Sequence, residues 1–174
     1  MKLLVLVSLS LVFFSACSTR ALPHSKLEPI LEPLEKLERN KRPSYELKSD
    51  SPIALALYDE YKKWDDTPYC YGGTSKDGVD CSSLVQTIYL GAFGVRLPRT
   101  TQEQAKVGYE VARNETKEGD IVFFKTGYET RHSGIYLEYG NFINTSTSRG
   151  VTISNLNNPY WKNAYWQSRR ILDY

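Results

Sequence analysis

The apolar positions of this chain change period part-way along it. Ile53, Leu57, Tyr61 and Trp64 recur at i, i+4, i+8 and i+11, one face of a helix. Ser51 followed by Pro52 offers an N-cap and a first-turn residue for it. The stretch "DDTPYCYGGTSKDG" then breaks the pattern with Pro, Gly and Asp and predicts a loop with a short extended piece. A second helix is predicted from about Cys81 to Leu90, burying Leu84, Val85 and Ile88. In "RTTQEQA", Thr100 and Glu103 form a capping-box pair that opens a short third helix. Beyond residue 107 the runs become short, β-branched and aromatic: "YEVAR", "DIVFFKT", "SGIYLEY", "NFINTS" and "GVTIS", separated by turn residues such as "KEGD" and "YGN". Helices first and a meander of strands afterwards predict an α+β domain built on an antiparallel sheet.

The first fifty residues follow other rules. Lys2 precedes an apolar run from Leu3 to Phe14 that falls short of the roughly 20 residues a membrane-spanning helix needs. A basic residue, a short apolar core and small residues after it are the pattern of a secretory signal. Its end, "FSAC", resembles the bacterial lipoprotein signal, with Phe14 where leucine is usual. That resemblance implies lipidation of Cys17 after removal of residues 1–16, and Ser18 at the next position implies the outer membrane, facing the periplasm. A plain signal peptide with Cys17 as a spare thiol is the alternative. In "SKLEPILEPLEKLERNKRPS", Leu27, Ile30, Leu31, Leu34 and Leu37 keep helical spacing, but Pro29 and Pro33 interrupt it. Residues 17–50 therefore read as a lipidated N-terminus and spacer with one short amphipathic helix from about Pro33, and residues 51–174 as one folded domain.

A net charge of +2 with scattered basic residues leaves no field directed at nucleic acid. The 13 tyrosines and 3 tryptophans suit either a groove for polar, sugar-like or peptide material or an aromatic core. A monomer is the default expectation.

With Cys17 lipidated, Cys70 and Cys81 are left, and export makes a disulfide between them a serious possibility. Against it, both flank a Gly-rich loop, where bridge geometry seldom arises by chance. Cys81 also stands at a predicted helix start, where N–H groups and the helix dipole favour a thiolate and can hold an oxyanion. Asp80 can cap that helix. The chain has two histidines, and His24 falls in the spacer, so His132 in "RHSGIYL" is the one imidazole available as a base. Asn144 in "FINTSTSRGV", on the next predicted strand, is a candidate acceptor to orient it, or else a ladder residue. No clustered Cys/His set suggests a metal.

The run "TPYCYGGTSKDGVDCSSLVQTIYLGAFGVRLPRTTQEQA", with "EGDIVFFKT", "RHSGIYLEYGNFINTSTSRGVTISNLNNPYW" and "SRRIL", resembles the NlpC-type bacterial cell-wall peptidases over about residues 53–172. The resemblance implies a papain-like α+β fold and a thiol endopeptidase acting on peptidoglycan stem peptides, usually at the γ-D-glutamyl–meso-diaminopimelate bond. It implies Cys81 as nucleophile, His132 as base and Asn144 as the third residue, with no cofactor. Tyr69 matches a tyrosine near the thiol, and Asp80 and Ser82 match positions that in some members hold the free amine of a stem peptide. Two departures stand out: Asn144 replaces the more common histidine, and Ser83 replaces a glycine, adding a hydroxyl near the expected cleft. A non-catalytic wall-binding lipoprotein, and an amidase or acyl transferase using the same pair, are the alternatives.

Overall fold

A computed structural model of the chain describes residues 45–173. Helix α1 (Pro52–Trp64) is followed by a small hairpin, β1 (Thr74–Ser75) and β2 (Gly78–Val79). Then come α2 (Cys81–Phe93), α3 (Thr101–Gln104), β3 (Tyr109–Val111) and a 3-10 turn (Arg113–Glu115). The strands β4 (Ile121–Lys125), β5 (Arg131–Glu138), β6 (Asn141–Ser146) and β7 (Gly150–Asn155) form a meander, and α4 (Pro159–Ala164) leads into β8 (Tyr165–Arg170). The large sheet is antiparallel with order β3-β8-β4-β5-β6-β7, so the last strand returns to the far side of β4. This is the expected α+β class.

The strands explain the two layers. In β4 the apolar run Ile121, Val122, Phe123 and Phe124 is fully buried, as expected of a strand covered on both faces. Ile121 and Phe123 pack with Ile135, Leu137 and Ile143 against Leu57, Leu84, Val85 and Ile88 of α1 and α2. Val122 and Phe124 face the other way and meet Phe142, Leu156, Tyr136, Trp161 and Tyr165. Each Phe so buried stabilises the fold by about 2–3 kcal/mol.

Several local expectations needed revision. Ser51 does stand before α1, but its hydroxyl makes no cap hydrogen bond; Pro52, with its fixed φ, starts the helix instead. Helix α2 runs on to Phe93, because Gly94 at φ 68° closes it: the Gly94 N–H reaches Leu90 O at 3.0 Å and the Val95 N–H reaches Tyr89 O at 3.3 Å. Strand β8 and helix α4 were absent from the pattern of apolar positions. Residues 45–50, read from sequence as part of the spacer, belong to the compact unit. They strap onto the buried carboxylate of Glu138, which accepts from the Tyr45 hydroxyl and from the N–H groups of Lys48 and Ser49. Cys17 and the expected helix near Pro33 lie outside the described residues.

Candidate active site

The site forms at the ends of two neighbouring strands. Strands β5 and β6 are paired at Glu138, Tyr136 and Ile135, and the last rung is Ile135 with Ile143. Just past it, where the two strands still lie close together, stand His132 and Asn144. Gly134 permits this close approach: a Cβ there would sit 2.6 Å from Ile143 O and 3.3 Å from the Asn144 Cβ. Helix α2 begins at Cys81 and packs against both strands.

Cys81 is a free cysteine, which excludes the Cys70–Cys81 disulfide. Its sulfur is hydrogen-bonded by the His132 side chain and by the backbone N–H of Ser133, and Thr101 Oγ1 lies 3.6 Å away. Burial pushes the thiol up; these donors and the His132 charge outweigh it and bring the pKa to about 7. The first turn of α2 leaves N–H groups without intrahelical partners, and Asp80 takes only that of Ser83, at 2.7 Å.

Among the described residues three buried side-chain polar atoms have no hydrogen-bond partner: His132 Nε2, Asn144 Oδ1 and Thr145 Oγ1. With Nε2 unbonded, Nδ1 is the nitrogen left to meet Cys81. Asn144 is fully buried, and its Nδ2 donates to Ser154 Oγ at 2.9 Å and Thr152 O at 3.4 Å. The structure thus brings Cys81 and His132 into contact and sets Asn144 on the adjacent strand, without a hydrogen bond between Asn144 and His132.

The remaining expected residues divide. Tyr69 is half-buried, and its phenol is pushed up by burial first and then by the negative charge of the nearby Cys81 thiolate. Asp80 caps α2 as expected. Its Oδ1 accepts from Ser83 N–H, from Ser82 Oγ at 3.0 Å and from Arg99 Nη1 at 3.0 Å, and its Oδ2 accepts from Arg99 Nη2 at 2.6 Å. Burial alone would raise this carboxyl, but Arg99 and the other donors hold it below the usual range. Arg99 Nη1 also donates to Ser82 Oγ at 3.0 Å. Arg99 therefore occupies the acceptors that the resemblance assigned to a substrate amine. Ser83 is 2 % exposed, so its hydroxyl is packed under the helix and does not line an open cleft.

Sequence reasoning missed the cover supplied by α3. Besides Thr101, the fully buried Gln104 donates to Ser82 O and Pro98 O, both at 2.9 Å, and pins this turn over the start of α2. The signal was present in "RTTQEQA", where Thr100 Oγ1 does accept from the Glu103 N–H at 3.3 Å. A recess of about 450 Å³ lined by Arg113, Asn114, Tyr136 and Asn157 contributes none of these groups.

The arrangement suits nucleophilic attack on a carbonyl: a thiol beside an imidazole, at the start of a helix. The model of the NlpC/P60 family matches residues 66–170, a span that contains every one of these groups. The chain belongs to the NlpC/P60 family. It is 46% identical over 122 residues to a probable endopeptidase of Haemophilus influenzae, covering 68% of this chain and 76% of that one. It is 37% identical over 164 residues to the murein DD-endopeptidase MepS/murein LD-carboxypeptidase of Escherichia coli, covering 92% and 87%. Among solved structures, an NlpC/P60 family protein from Bacillus cereus superposes with a TM-score of 0.62 at 33% identity. That match covers 69% of this chain and 40% of the longer Bacillus protein.

The position of the thiol pKa makes a first prediction. At pH 7 about half of Cys81 is thiolate, against about 3% for an ordinary thiol of pKa near 8.5. Its alkylation rate by iodoacetamide should rise about tenfold per pH unit up to about 7 and level off above it. In His132→Ala burial still raises the thiol and the main opposing donor is gone, so the midpoint should move upward by a unit or more.

Proposed function

We propose that this protein is a thiol endopeptidase of peptidoglycan stem peptides, with Cys81 as nucleophile, His132 as general base and acid, and Asn144 as the third residue. The observation that carries the reading is the free Cys81 thiol at a helix start, lowered to about 7 by contact with the one imidazole of the domain. His132 Nδ1 takes the thiol proton and the sulfur attacks the amide carbonyl carbon. The oxyanion is met by N–H groups of the first turn of α2, starting with that of Cys81, with the Tyr69 hydroxyl as an added donor. The C–N bond breaks, and the imidazolium returns its proton to the departing amine. Water then gives a proton to the same imidazole, its oxygen attacks the thioester carbon, and the released sulfur is reprotonated. While the ring is charged, Nε2–H needs an acceptor, and Asn144 Oδ1 is buried, unpaired and on the neighbouring strand. Such hydrogen bonds often tighten only once substrate is bound.

Family membership and the names of the relatives support peptidoglycan as the substrate. The first bond assigned is γ-D-glutamyl–meso-diaminopimelate. A second reading, a D,D bond, is favoured by the likeness to MepS over 92% of the chain. Digestion of purified sacculi with mass analysis of the fragments decides between them. The first cuts within the stem and leaves a fragment that begins with diaminopimelate; the second splits cross-linked dimers and leaves each stem whole. Absence of both products, or the same products from Cys81→Ala, would overturn the peptidase reading.

We further propose that the chain is exported, lipidated at Cys17 and held at the outer membrane facing the periplasm. The short apolar run ending in "FSAC" supports this. Incorporation of labelled palmitate should vanish in Cys17→Ala.

A further inference from the structure

The His132 ring makes no hydrogen bond to a third side chain, since Nε2 is buried and unpartnered. Rotation about the last torsion of a histidine is broad and roughly two-fold, so a ring tied at one nitrogen needs another restraint. The structure supplies one on its face. Trp161 stacks on the imidazole with centroids 5.2 Å apart and planes 25° apart. The indole is itself wedged in place: Phe124 lies 4.7 Å from it, Phe142 5.2 Å at 89°, and Tyr160 4.8 Å. It is carried by α4, which begins at Pro159 and is capped by the Asn158 side chain accepting from the Tyr160 N–H.

We propose that Trp161 is the positioning residue for the His132 imidazole, fixing the ring plane that turns Nδ1 toward Cys81 and roofing Nε2 against water. The inference rests on His132 acting as the base in the reaction proposed above. Two effects follow from the stack. The electron-rich indole face favours the charged ring over the neutral one, which favours the thiolate–imidazolium pair over the neutral pair. The roof also keeps water from competing with Asn144 Oδ1 for the Nε2 proton. Both atoms are buried, and Asn144 shares β6 with Phe142, one of the residues that wedge the indole. Orientation that a hydrogen bond supplies in other Cys-His sites would here be supplied first by packing.

The test uses the full chain and three readouts: the pH midpoint of Cys81 alkylation, kcat and KM on muropeptides from sacculi, and the thermal midpoint. Trp161→Leu keeps apolar cover but removes the ring; Trp161→Phe restores a ring. In Trp161→Leu the alkylation midpoint should move up by half a unit or more, and the rate at pH 7 should fall about threefold or more. For the same variant kcat should fall while KM holds, and Trp161→Phe should recover most of each change. A merely structural role would lower the thermal midpoint and leave the alkylation midpoint near 7. Wild-type alkylation midpoint and rate in folded Trp161→Leu would overturn the proposal. Should that variant fail to fold, the ring protons of His132 in the wild-type protein carry the test by NMR. Upfield displacement by the indole supports the stack, and random-coil positions overturn it. A wild-type Cys81 that shows no midpoint near 7 would sink the peptidase reading itself; a normal wild type with an unaffected Trp161→Leu would sink only this inference.

Discussion

Cys81→Ala should leave no measurable digestion of sacculi, a loss of about 10⁴-fold or more in kcat, while the protein stays folded. The nucleophile has no substitute within the site: Thr101 Oγ1 lies 3.6 Å from the sulfur, but an alcohol there has no imidazole of its own. Because Cys81 is only half-buried and opens α2 without packing into the main core, the stability change should stay within about 1 kcal/mol. Cys81→Ser should be nearly as inactive, since a serine hydroxyl is far harder to deprotonate than a thiol brought to about 7. Turnover by Cys81→Ala at even a hundredth of the wild-type rate would place the nucleophile elsewhere.

Asp120→Ala should instead strike stability. Asp120 is fully buried and grips Arg170 through two hydrogen bonds, Nε to Oδ1 at 2.8 Å and Nη2 to Oδ2 at 2.7 Å. It also accepts from the Lys117 N–H at 2.7 Å and so shapes the turn that starts β4. Removing the carboxylate takes two charge-assisted hydrogen bonds from a guanidinium whose side chain is 12% exposed and which keeps Glu115 O at 2.9 Å, a change that costs about 3–5 kcal/mol. In a domain of this size the thermal midpoint should fall by roughly 10 °C or more. Pairing the change with Arg170→Met should recover part of the loss, because the charge that has lost its carboxylate is then gone as well. A midpoint within 2 °C of wild type for Asp120→Ala alone would show that water solvates Arg170 where the structure buries it. Urea unfolding provides an independent reading of the same difference.

That ion pair also explains what the sequence hid. Strand β8 carries "YWQSRR", and only Ser168 of its six residues is buried outright, so no alternation of apolar residues marks it. Its hold on the sheet comes from charged side chains: Arg170 on Asp120, and Arg169 on the carbonyls of Val107 and Gly108. Patterns of hydrophobicity do not register such contacts. Strands β3 to β7 were legible because each is a compact β-branched or aromatic run between turn residues. The same holds for the start and the buried face of α2, whose signals are local, although its end at Gly94 lay beyond the predicted stop at Leu90. Of the site, the Cys81–His132 contact was foreseeable from residue types alone, given a single histidine in the domain. The filling of Asp80 by Arg99 was not, because the two stand far apart in sequence and either could have faced solvent. Nor was Trp161 over His132, since an apolar ring in a short helix carries no sign of which neighbour it will cover.

The strap on Glu138 fixes where mechanical load enters the domain. Tyr45, Lys48 and Ser49 grip the last residue of β5, and His132 stands six positions back along the same strand, about 20 Å away. A pull arriving through the N-terminal side of the chain is taken up by those hydrogen bonds and by the Tyr58 hydroxyl on Tyr45 O. The cleft lies at the other end of β5, so load entering through Tyr45 meets these hydrogen bonds before it reaches His132.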